Sequence, residues 1–563
     1  MQANSNTSTQ PYGEKSLNHI IENAVRKNWN LMALSDMGGE SFTFSELAER
    51  IEKLHILFET ADLQSGDKVA ICGKNSSGWA AAFIACLTAG MTAVPILHEF
   101  KPESIHNLLN HSGAKLLFTD SSIWESLDSE ELPMIEGALY IAEHGLPFSR
   151  NKKLSEAFSK LNELFGDKFP ERFSPDNVCY HRDNPDEICI INYTSGSTGV
   201  PKGVMLPYRS IWSNIRYAID HLTFLKPGDG MVNMLPLGHL YGMVIEMLHP
   251  LVKGCHCHFI TKAPSPAIIL KAFTEVRPKL VITVPLVLEK IIRSKVFPQL
   301  KTPKMRFLLK LPVIKGIVLG KVKKALIGVF GGELMEIIIG GAPLNAEIEK
   351  FLYEIKFPIT VGYGMTECGP LLTYAPPESS RPHSVGKIVE RMDVRIDSPD
   401  PQHIPGNILV KGENVMKGYF KNPEATAEAF PKNDGWMNTG DMGTIAPDGT
   451  ISISGRSKTM ILGPSGQNIY PEEIEQYINN MPYVNESLVI GDHGKLTALI
   501  HPDFEAARKD GLDHKAIEKI MDENLKAVNA RLEAYNRLNG LRIMDDEFEK
   551  TPKRSIKRFL YQQ

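Results

Sequence analysis

Neither sign of charge dominates the sequence, which carries 62 lysines and arginines against 66 aspartates and glutamates in 563 residues. A formal net charge of −4 gives no indication of nucleic-acid binding, because proteins of that class present a strongly basic surface. Cysteine is also scarce, since seven residues in so long a chain do not make a disulfide framework. Cys72 and Cys86 lie in apolar runs, which indicates a reducing compartment and predicts a cytoplasmic protein.

The features of a secretory signal are missing as well. The N-terminus, MQANSNTSTQPYG, has neither a basic start nor an apolar stretch, and residues 1–14 are expected to be disordered. The run 75–97 carries no charge and is long enough to raise the question of a transmembrane helix. Gly90 and Pro95 interrupt it and KVAICG precedes it, so we interpret it as part of a buried strand–helix–strand unit.

Apolar, strand-like runs alternate with helix-like segments through most of the chain. KVAICG, MTAVPIL and KLLFTD begin the pattern, and LVITVP, MEIIIGGAP and PITVGYG repeat it further on. Such alternation is typical of sheets covered by helices and predicts an α/β fold.

The pattern changes after a boundary that we place near 455–459. SLVIGDHGKLTALIH predicts a hairpin turning at 492–495, and residues 516–535 show helical apolar spacing. We therefore expect an N-terminal domain of residues 15–455 and a small C-terminal domain of residues 456–563.

The stretch TSGSTGVPKG, from Thr194 to Gly203, combines glycines, hydroxyl side chains and one lysine. It is not the P-loop of NTPases, because Pro201 replaces the second glycine and Gly203 replaces Ser or Thr. EICIINY before it and GVMLP after it predict a mobile loop between two extended segments. Glycines admit an anion to backbone N–H groups, hydroxyls add donors, and Lys202 adds a positive charge, which favours phosphate binding. The alternative is a polar surface turn.

INYTSGSTGVPKGVML resembles the signature loop of the adenylate-forming superfamily, which includes acyl-CoA synthetases, peptide-synthetase adenylation domains and firefly luciferase. Further matching stretches follow in the expected order over roughly residues 40–560: MLPLGHLYG, IIIGGAPL, VGYGMTECGP, WMNTGDMG and GRSKTMILGPSGQNIYPEEIE. The resemblance implies an α/β N-terminal domain of helix-covered sheets with a β-barrel-like subdomain, and a small, mobile α+β C-terminal domain. It also implies that a carboxylate attacks the α-phosphate of ATP, and that a thiol then displaces AMP from the acyl-adenylate.

By this resemblance, two segments would bind the phosphates. Lys202 and the loop would handle the β- and γ-phosphates, the loop residues being Thr194, Ser195, Gly196, Ser197, Thr198 and Gly199. In GYGMTE, Thr366 would donate to the α-phosphate and Glu367 would hold Mg²⁺. Lysine, Mg²⁺ and hydrogen-bond donors together offset the repulsion between the two anions that react.

The same resemblance places five residues around the nucleoside and one near the acid. Tyr363 would stack on adenine, beside the backbone of Gly341 and Ala342, whose alternative role is a simple strand-to-helix turn. Asp441 would accept both ribose hydroxyls, because a carboxylate offers two acceptor oxygens, and Arg456 would also reach the ribose. His239, in PLGHLYG, would lie beside the substrate carboxylate, and the alternative for it is a structural role.

The stretch GCHCHF raises the question of a zinc site formed by Cys255, His256, Cys257 and His258. Successive side chains of a strand point to opposite faces, so these four cannot converge on one metal ion. Mg²⁺ at Glu367 is therefore the only metal that we expect.

The C-terminus departs from the superfamily pattern, which has a lysine in a setting such as T-x-x-x-K-I. Counting from Thr551 in KTPKRSIKRFLY places Ser555 at that position, with Lys553 and Lys557 on either side. Three interpretations remain: Lys557, the preferred candidate, or Lys553 substitutes after a register shift; Lys202 and Mg²⁺ alone support slower adenylation; or activity has been lost.

The segment joining the two domains shows a second departure. Thr459 stands where the superfamily often has Asp, at the pivot between the two half-reactions, and Thr can also serve in a hinge. Gly466, in GPSGQNIYP, is expected to approach the channel for the thiol cosubstrate.

VPLVLEKIIRSKV and the stretch before IIIGGAPL resemble long-chain acyl-CoA synthetases, and LPLGHLYGMV lacks an aspartate that would bind an amino group. We therefore expect a long-chain fatty acid–CoA ligase that uses ATP, Mg²⁺ and coenzyme A. An acyl–acyl-carrier-protein ligase is one alternative, because both acceptors carry a pantetheine thiol. A low-turnover acyl or nucleotide sensor is another, given Ser555.

Residues 301–330 contain eight lysines and arginines and no acidic residue, interleaved with Leu, Ile and Val. Such a segment can rest on anionic lipid, as a peripheral contact on the inner face of the membrane. The alternative is a solvated basic helix that covers the core.

Overall fold

The computed structural model describes residues 15–142, 145–194, 201–262, 265–300, 302–462, 468–492, 495–533, 536–550 and 556–561. Segment 1–14, for which disorder is predicted, lies outside these ranges. The α-helices, numbered along the chain, are α1 (Leu17–Lys27), α2 (Phe44–Thr60), α3 (Ser77–Thr88), α4 (Pro102–Ser112), α5 (Ser121–Trp124), α6 (Lys152–Ser159), α7 (Leu161–Lys168), α8 (Tyr208–His221), α9 (His249–Val252), α10 (Pro266–Val276), α11 (Pro285–Ile291), α12 (Phe297–Leu300), α13 (Pro303–Leu308), α14 (Pro312–Val329), α15 (Ala346–Glu354), α16 (Pro423–Ala429), α17 (Pro471–Ile478), α18 (Phe504–Lys509) and α19 (His514–Asn529).

The strands are β1 (Met32–Asp36), β2 (Ser41–Thr43), β3 (Lys68–Cys72), β4 (Thr92–Ile96), β5 (Leu116–Thr119), β6 (Gly137–Tyr140), β7 (Phe148–Ser149), β8 (Ile188–Thr194), β9 (Lys202–Pro207), β10 (Gly230–Asn233), β11 (His256–Phe259), β12 (Leu280–Thr283), β13 (Glu336–Ile339), β14 (Ile359–Val361), β15 (Tyr363–Gly364), β16 (Leu371–Tyr374), β17 (Lys387–Ile388), β18 (Met392–Asp397), β19 (Gly406–Gly412), β20 (Gly418–Tyr419), β21 (Met437–Ile445), β22 (Ile451–Arg456), β23 (Ile461–Leu462), β24 (Asn468–Ile469), β25 (Val484–Asp492), β26 (Lys495–Pro502) and β27 (Gly540–Ile543).

The largest sheet has eight strands in the order β20-β9-β8-β4-β3-β5-β6-β7. Its centre is parallel, and β8 and β9 form an antiparallel pair toward one edge. The run 75–97 forms α3 and β4, both buried along their whole length, which confirms the strand–helix–strand interpretation. The side chain of Ser76 caps α3 by accepting a hydrogen bond from the N–H of Trp79. Among the residues that the structure describes, none of the helices combines the length and the apolar composition that a bilayer crossing requires.

A second, parallel sheet of order β12-β13-β14 lies over its own hydrophobic cluster. The segments LVIT, EIII and ITV are buried at every position, as expected for parallel strands that are covered on both faces. Because the three strands run in the same direction, their carboxyl ends meet at one edge, where Gly341 and Tyr363 follow β13 and β14.

A mixed sheet of order β10-β11-β1-β2 also lies in the N-terminal part, with β10, β11 and β1 parallel and β2 antiparallel to β1. Two antiparallel sheets, of orders β18-β19-β21-β22 and β15-β16-β17, follow later in the chain. Within the described ranges these sheets are open, because β18 and β22 are edges that do not pair with each other. The α/β fold class is thus confirmed, and the barrel-like part of the prediction takes the form of open sheets.

The C-terminal part has a separate core and a sheet of order β25-β26-β27. Strands β25 and β26 pair from Val484↔Pro502 to Asp492↔Lys495, which confirms the expected hairpin. Helix α19 buries Ile517, Met521 and Val528, as its apolar spacing predicts. The division of the chain near 455–459 and the mobility of the C-terminal part stay predictions.

Candidate active site

The phosphate-binding loop that we predict follows β8 and precedes β9 in the sequence. Thr194 and Lys202 are the last paired residues of these two strands, and Oγ1 of Thr194 lies 3.5 Å from the carbonyl oxygen of Lys202. The predicted extended segments on both sides of the loop are confirmed. The remaining predicted loop residues fall outside the described ranges: Ser195, Gly196, Ser197, Thr198 and Gly199.

Lys202 and Glu367, predicted to bind phosphate and Mg²⁺, both contact Tyr419. The ammonium of Lys202 lies 5.1 Å from the centroid of the Tyr419 ring, within the range of a cation–π interaction. The hydroxyl of Tyr419 donates a 2.8 Å hydrogen bond to Oε1 of Glu367. Burial raises the pKa of Tyr419 above its ordinary value, and the neighbouring Glu367 raises it further, so this hydroxyl is a donor at neutral pH.

Glu367 lies in a 3₁₀ turn, Thr366–Cys368, together with the predicted α-phosphate donor Thr366. The turn ends at Gly369, whose φ is +64° and whose missing side chain leaves room for Oγ of Ser210. Within the described part of the chain, the structure gives Oε2 of Glu367 no hydrogen bond and no ion pair. A half-buried carboxylate with one oxygen held and the other available suits Mg²⁺, which takes hard oxygen ligands.

Tyr363, Asp441 and Arg456 form a second cluster. The hydroxyl of Tyr363 donates to Oδ2 of Asp441 at 2.6 Å, and Nε of Arg456 lies 3.3 Å from Oδ1. Asp441 and Arg456 are direct partners on the adjacent strands β21 and β22. Burial raises the pKa of Asp441, while Arg456 and the hydroxyl of Tyr363 act in the opposite direction. The structure therefore brings the predicted adenine-stacking residue together with both predicted ribose residues.

Gly341 and Ala342 are exposed in the turn after β13, at the edge where the parallel strands end. The φ of Gly341 is +86°, a left-handed conformation that favours glycine. Tyr241 contacts the strand end that precedes this turn, because its hydroxyl donates to the carbonyl of Ile338 at 3.1 Å. Ligands of open α/β sheets commonly bind outside this edge, which agrees with the predicted adenine contact.

His239 is half-buried in the turn between β10 and a π-helical segment, Tyr241–Leu248. Two asparagines from other elements hold this turn. Nδ2 of Asn192 donates to the carbonyl of Gly238 at 2.9 Å, and Oδ1 of Asn75 accepts from the N–H of Leu237 at 2.9 Å. Because Asn192 lies in β8, the His239 turn is connected to the strand that carries the phosphate loop.

Glu246, which the sequence reasoning did not single out, also fixes the start of the His239 turn. Its fully buried Oε2 accepts the N–H groups of Met234 and Leu235, at 3.1 and 2.9 Å. Burial raises the pKa of Glu246 well above its ordinary value. The only sequence signal for this residue is an acidic side chain inside the apolar run YGMVIEML.

Lys557, the predicted substitute for the missing lysine, contacts the C-terminal part of the chain. Its ammonium lies 3.0 Å from Oε2 of Glu549, and its N–H donates to the Glu549 carbonyl at 2.8 Å. Among the residues that the structure describes, Lys557 has no hydrogen bond or ion pair with the clusters above. Lys553, Ser555 and the predicted channel residue Gly466 lie outside the described ranges, so the roles of this group stay predictions.

Strand β11 alternates in burial as the GCHCHF pattern predicts. Cys257 and Phe259 are buried, whereas His256 and His258 share the other face with their ring centroids 3.9 Å apart. The cysteine and histidine side chains therefore point in opposite directions, as the argument against a shared zinc site requires.

The chain is similar to known proteins over most of its length. The model of the AMP-binding enzyme family matches residues 21–420. A long-chain-fatty-acid–CoA ligase of Drosophila melanogaster is 26% identical over 528 residues, covering 88% of this chain and 77% of the relative. A feruloyl-CoA synthase of an Amycolatopsis species is 28% identical over 513 residues, covering 88% and 89%.

The fold is also that of a solved structure. The ATP-bound crystal structure of MatB from Rhodopseudomonas palustris superimposes with a TM-score of 0.74 at 23% identity, covering 96% of this chain and 98% of that chain. One of the curated relatives is named for fatty acids and the other for the feruloyl group, so the acid differs among proteins of comparable similarity.

Proposed function

Because the chain belongs to the AMP-binding enzyme family, we propose that it is an ATP-dependent acid–coenzyme A ligase whose acid is a long-chain fatty acid. The observation that carries the proposal is the pair of side chains on Tyr419: Lys202 beside the loop, and Glu367 with one oxygen available. A cation and a carboxylate spaced by one ring suit a bound triphosphate and its metal ion.

In the first half-reaction, a carboxylate oxygen of the acid attacks the α-phosphorus of ATP. The new O–P bond forms as the bond to the bridging oxygen of the β-phosphate breaks, so the products are an acyl-adenylate and pyrophosphate. Lys202 and Thr366 would stabilise the negative charge on the phosphates. Glu367 would hold Mg²⁺, which when bound supplies positive charge to the phosphate oxygens.

In the second half-reaction, the thiol sulfur of coenzyme A attacks the acyl carbon of the adenylate. The C–S bond forms, the C–O bond to AMP breaks, and the thiol proton is released. Tyr363, Asp441 and Arg456 would hold the nucleoside through both steps, while His239 would lie beside the reacting carboxylate. AMP, pyrophosphate and the acyl thioester leave as products.

Contacts at the junction support a C-terminal domain of residues 456–563 that pivots at Thr459. Oγ1 of Thr459 lies 2.6 Å from Oε1 of Glu472 and 3.0 Å from the carbonyl oxygen of Arg456. Among the described residues, contacts that cross the junction include Nε2 of Gln476 to the carbonyl of Leu344 at 3.2 Å, and the N–H and Oγ of Ser457 to the carbonyl of Gly440 at 2.9 and 3.1 Å. A hinge of this kind needs only a few residues, such as Thr459, to change their backbone angles between half-reactions.

We further propose that the protein is cytoplasmic and makes a peripheral contact with anionic lipid. Helices α13 and α14, with the short segment that joins them, expose Phe307, Leu311 and Ile317, and Phe307 is 65% exposed. Lys315 pairs with Glu354, whereas the structure gives no ion pair within its described ranges to the exposed lysines Lys304, Lys310, Lys321 and Lys324. Leu326 packs into the core, so α14 covers the core on one side and presents cations and apolar side chains on another.

Pyrophosphate exchange into ATP, measured with and without added acids, tests the proposed activity. We expect exchange that requires an acid and that is fastest with long acyl chains; no exchange with any acid would contradict a ligase and favour a sensor. Feruloyl and short-chain acids serve as comparisons for the substrate class. Adding coenzyme A or an acyl carrier protein separately then identifies the acceptor by thioester formation.

Vesicle co-sedimentation tests the membrane contact. Binding is expected to vesicles that contain anionic lipid, and to weaken as salt increases. Binding that is indifferent to both lipid charge and salt would contradict this part of the proposal without affecting the ligase.

A further inference from the structure

Tyr419 separates the two charged residues to which the proposed function assigns phosphate and metal binding. Lys202 lies over its ring and Glu367 accepts from its hydroxyl. In the parts of the chain that the structure describes, Lys202 and Glu367 form no ion pair with each other. A direct ion pair would occupy the ammonium and the carboxylate with each other and leave neither to a ligand.

Backbone pairing fixes the position of this tyrosine on both sides. Strand β20 pairs with β9 through Tyr419↔Val204, and the N–H of Phe420 donates to the carbonyl of Gly203 at 2.7 Å. The N–H of Tyr419 itself donates to Oγ1 of Thr426 at 2.9 Å. The ring is therefore held against the same strand that carries Lys202.

The Glu367 turn is attached to the same segment. The N–H of Met416, three residues before Tyr419, donates to the carbonyl of Glu367 at 2.9 Å. One short segment thus contacts both the backbone and the side chain of Glu367, and pairs with the strand of Lys202. A change in the segment would move both charged groups together.

We propose that Tyr419 is a positioning residue that holds Lys202 and Glu367 apart and ready for a metal–triphosphate ligand. This inference rests on the proposed function. The hydroxyl holds the Glu367 side chain in place through Oε1 and leaves Oε2 for the metal ion. The ring face holds the Lys202 ammonium at the start of β9 without neutralising its charge.

Two substitutions separate the two contacts of Tyr419. Tyr419→Phe removes the hydroxyl and keeps the ring, whereas Tyr419→Leu removes both. Calorimetric titration with ATP, in the presence of Mg²⁺ and in its absence with a chelator, measures binding independently of turnover. A Mg²⁺ titration of acid-dependent pyrophosphate exchange measures the metal requirement in the whole enzyme.

For Tyr419→Phe we expect metal-free ATP binding within about twofold of the parent chain, and a Mg²⁺ midpoint raised roughly tenfold, as loss of a hydrogen bond to a charged group implies. For Tyr419→Leu we expect the same rise in the Mg²⁺ midpoint, and metal-free ATP binding weakened by roughly fivefold, because the cation–π contact is lost as well. An unchanged Mg²⁺ midpoint in Tyr419→Phe would overturn the inference.

Tyr374→Phe is the matched control, because the Tyr374 hydroxyl also contacts a carboxylate, at 2.9 and 3.0 Å from the two oxygens of Glu336. It should leave the Mg²⁺ midpoint unchanged, and an equal rise in both variants would show a general loss of stability and overturn the inference. Absence of exchange and of ATP binding in the parent chain would refute the proposed function itself. ATP binding with a normal Mg²⁺ response in Tyr419→Phe would refute only the role of Tyr419.

Discussion

The hydroxyl of Tyr363 donates a 2.6 Å hydrogen bond to Oδ2 of Asp441 across 78 positions of sequence. Arg456 meets the other oxygen of the same carboxylate, so Asp441 is held from two sides while it is only 6% exposed. An ionised carboxyl in that position is costly to bury without partners. Two partners that fix its orientation, and a second lone pair on each oxygen, prepare it to accept hydroxyl groups from a ligand.

Asp441→Asn should therefore weaken ATP binding with a small effect on folding. The amide oxygen can still accept from Tyr363, but its nitrogen offers a donor where a ribose hydroxyl needs an acceptor. We expect the KM for ATP to rise roughly 10- to 100-fold, the range for loss of hydrogen bonds to a charged group, with kcat changed less. Steady-state pyrophosphate exchange at varied ATP concentration measures both constants.

Asp448→Asn is the matched control, since Asp448 lies in the turn between β21 and β22 and pairs with Arg381 at 2.9 Å on the surface. Its KM should equal that of the parent chain. If Asp441→Asn also binds ATP normally, the assignment of Asp441 to the ribose is wrong.

Lys202→Ala should slow acid-dependent exchange by about 10²- to 10³-fold, because a positioned charge on the transferring phosphates is removed. Lys202→Arg should recover part of the rate, since the charge is kept while its geometry changes. The control is Lys421→Ala, which removes another lysine that lies over a neighbouring ring, 5.1 Å from the centroid of Phe420. Equal rates for Lys202→Ala and Lys421→Ala would contradict a phosphate role for Lys202.

Local patterns predicted much of the fold because they depend on neighbouring residues. The alternation along KVAICG and the following alanine-rich stretch indicates β3 and α3, and the apolar spacing of 516–535 indicates α19. The edges of the antiparallel sheets follow instead from pairings between distant segments. The sequence alone therefore could not show that β18 and β22 do not pair, and the barrel-like subdomain is what the resemblance implies.

The candidate site likewise combines residues that local motifs predict with residues that only pairing between distant segments brings in. Lys202, Glu367 and Asp441 belong to contiguous motifs and could be selected from the sequence. Tyr419 could not, because its importance arises only when β20 pairs with β9, more than two hundred positions earlier in the chain. Glu246 likewise acts on backbone groups of a separate strand end, and no spacing rule connects the two.

Lys557→Ala should slow formation of the acyl-adenylate strongly while changing thioester formation from supplied adenylate much less. The reason is that a lysine near the C-terminus would act on the phosphates only in the first half-reaction. Pyrophosphate exchange measures the first step, and release of AMP from synthetic acyl-adenylate plus coenzyme A measures the second.

The contact between Lys557 and Glu549 adds a condition to this prediction. If Lys557 must leave Glu549 to act, Glu549→Gln should not slow the first step, although it removes the ion pair. Lys509→Ala, which breaks the exposed pair with Glu505 at 2.6 Å, is the control for loss of a surface lysine. Equal rates for Lys557→Ala and the parent chain in both steps would eliminate Lys557 and leave two interpretations, substitution by Lys553 or adenylation supported by Lys202 and Mg²⁺ alone.

Glu336 predicts a specific pH dependence of stability. It begins β13, is 2% exposed, and accepts from the hydroxyl of Tyr374 with both oxygens. Burial raises the pKa of Glu336 to about 7 from an ordinary value of 4.5, even though the hydroxyls of Tyr374 and Thr360 act in the opposite direction. Between these two values the folded chain holds a proton that the unfolded chain has released.

The contribution of Glu336 to the free energy of unfolding is therefore complete below about pH 4.5 and is lost as the pH rises through about 7. At roughly 1.4 kcal/mol per pKa unit, the total loss is near 3 kcal/mol. Glu336→Gln should remove this decline, because an amide does not titrate, so that the variant gains stability relative to the parent chain between pH 5 and 8. Tyr374→Phe should extend the decline to higher pH, because the ionised carboxylate loses its donor. Urea unfolding at several pH values measures the differences, and parallel pH profiles for Glu336→Gln and the parent chain would show that Glu336 does not titrate in this range.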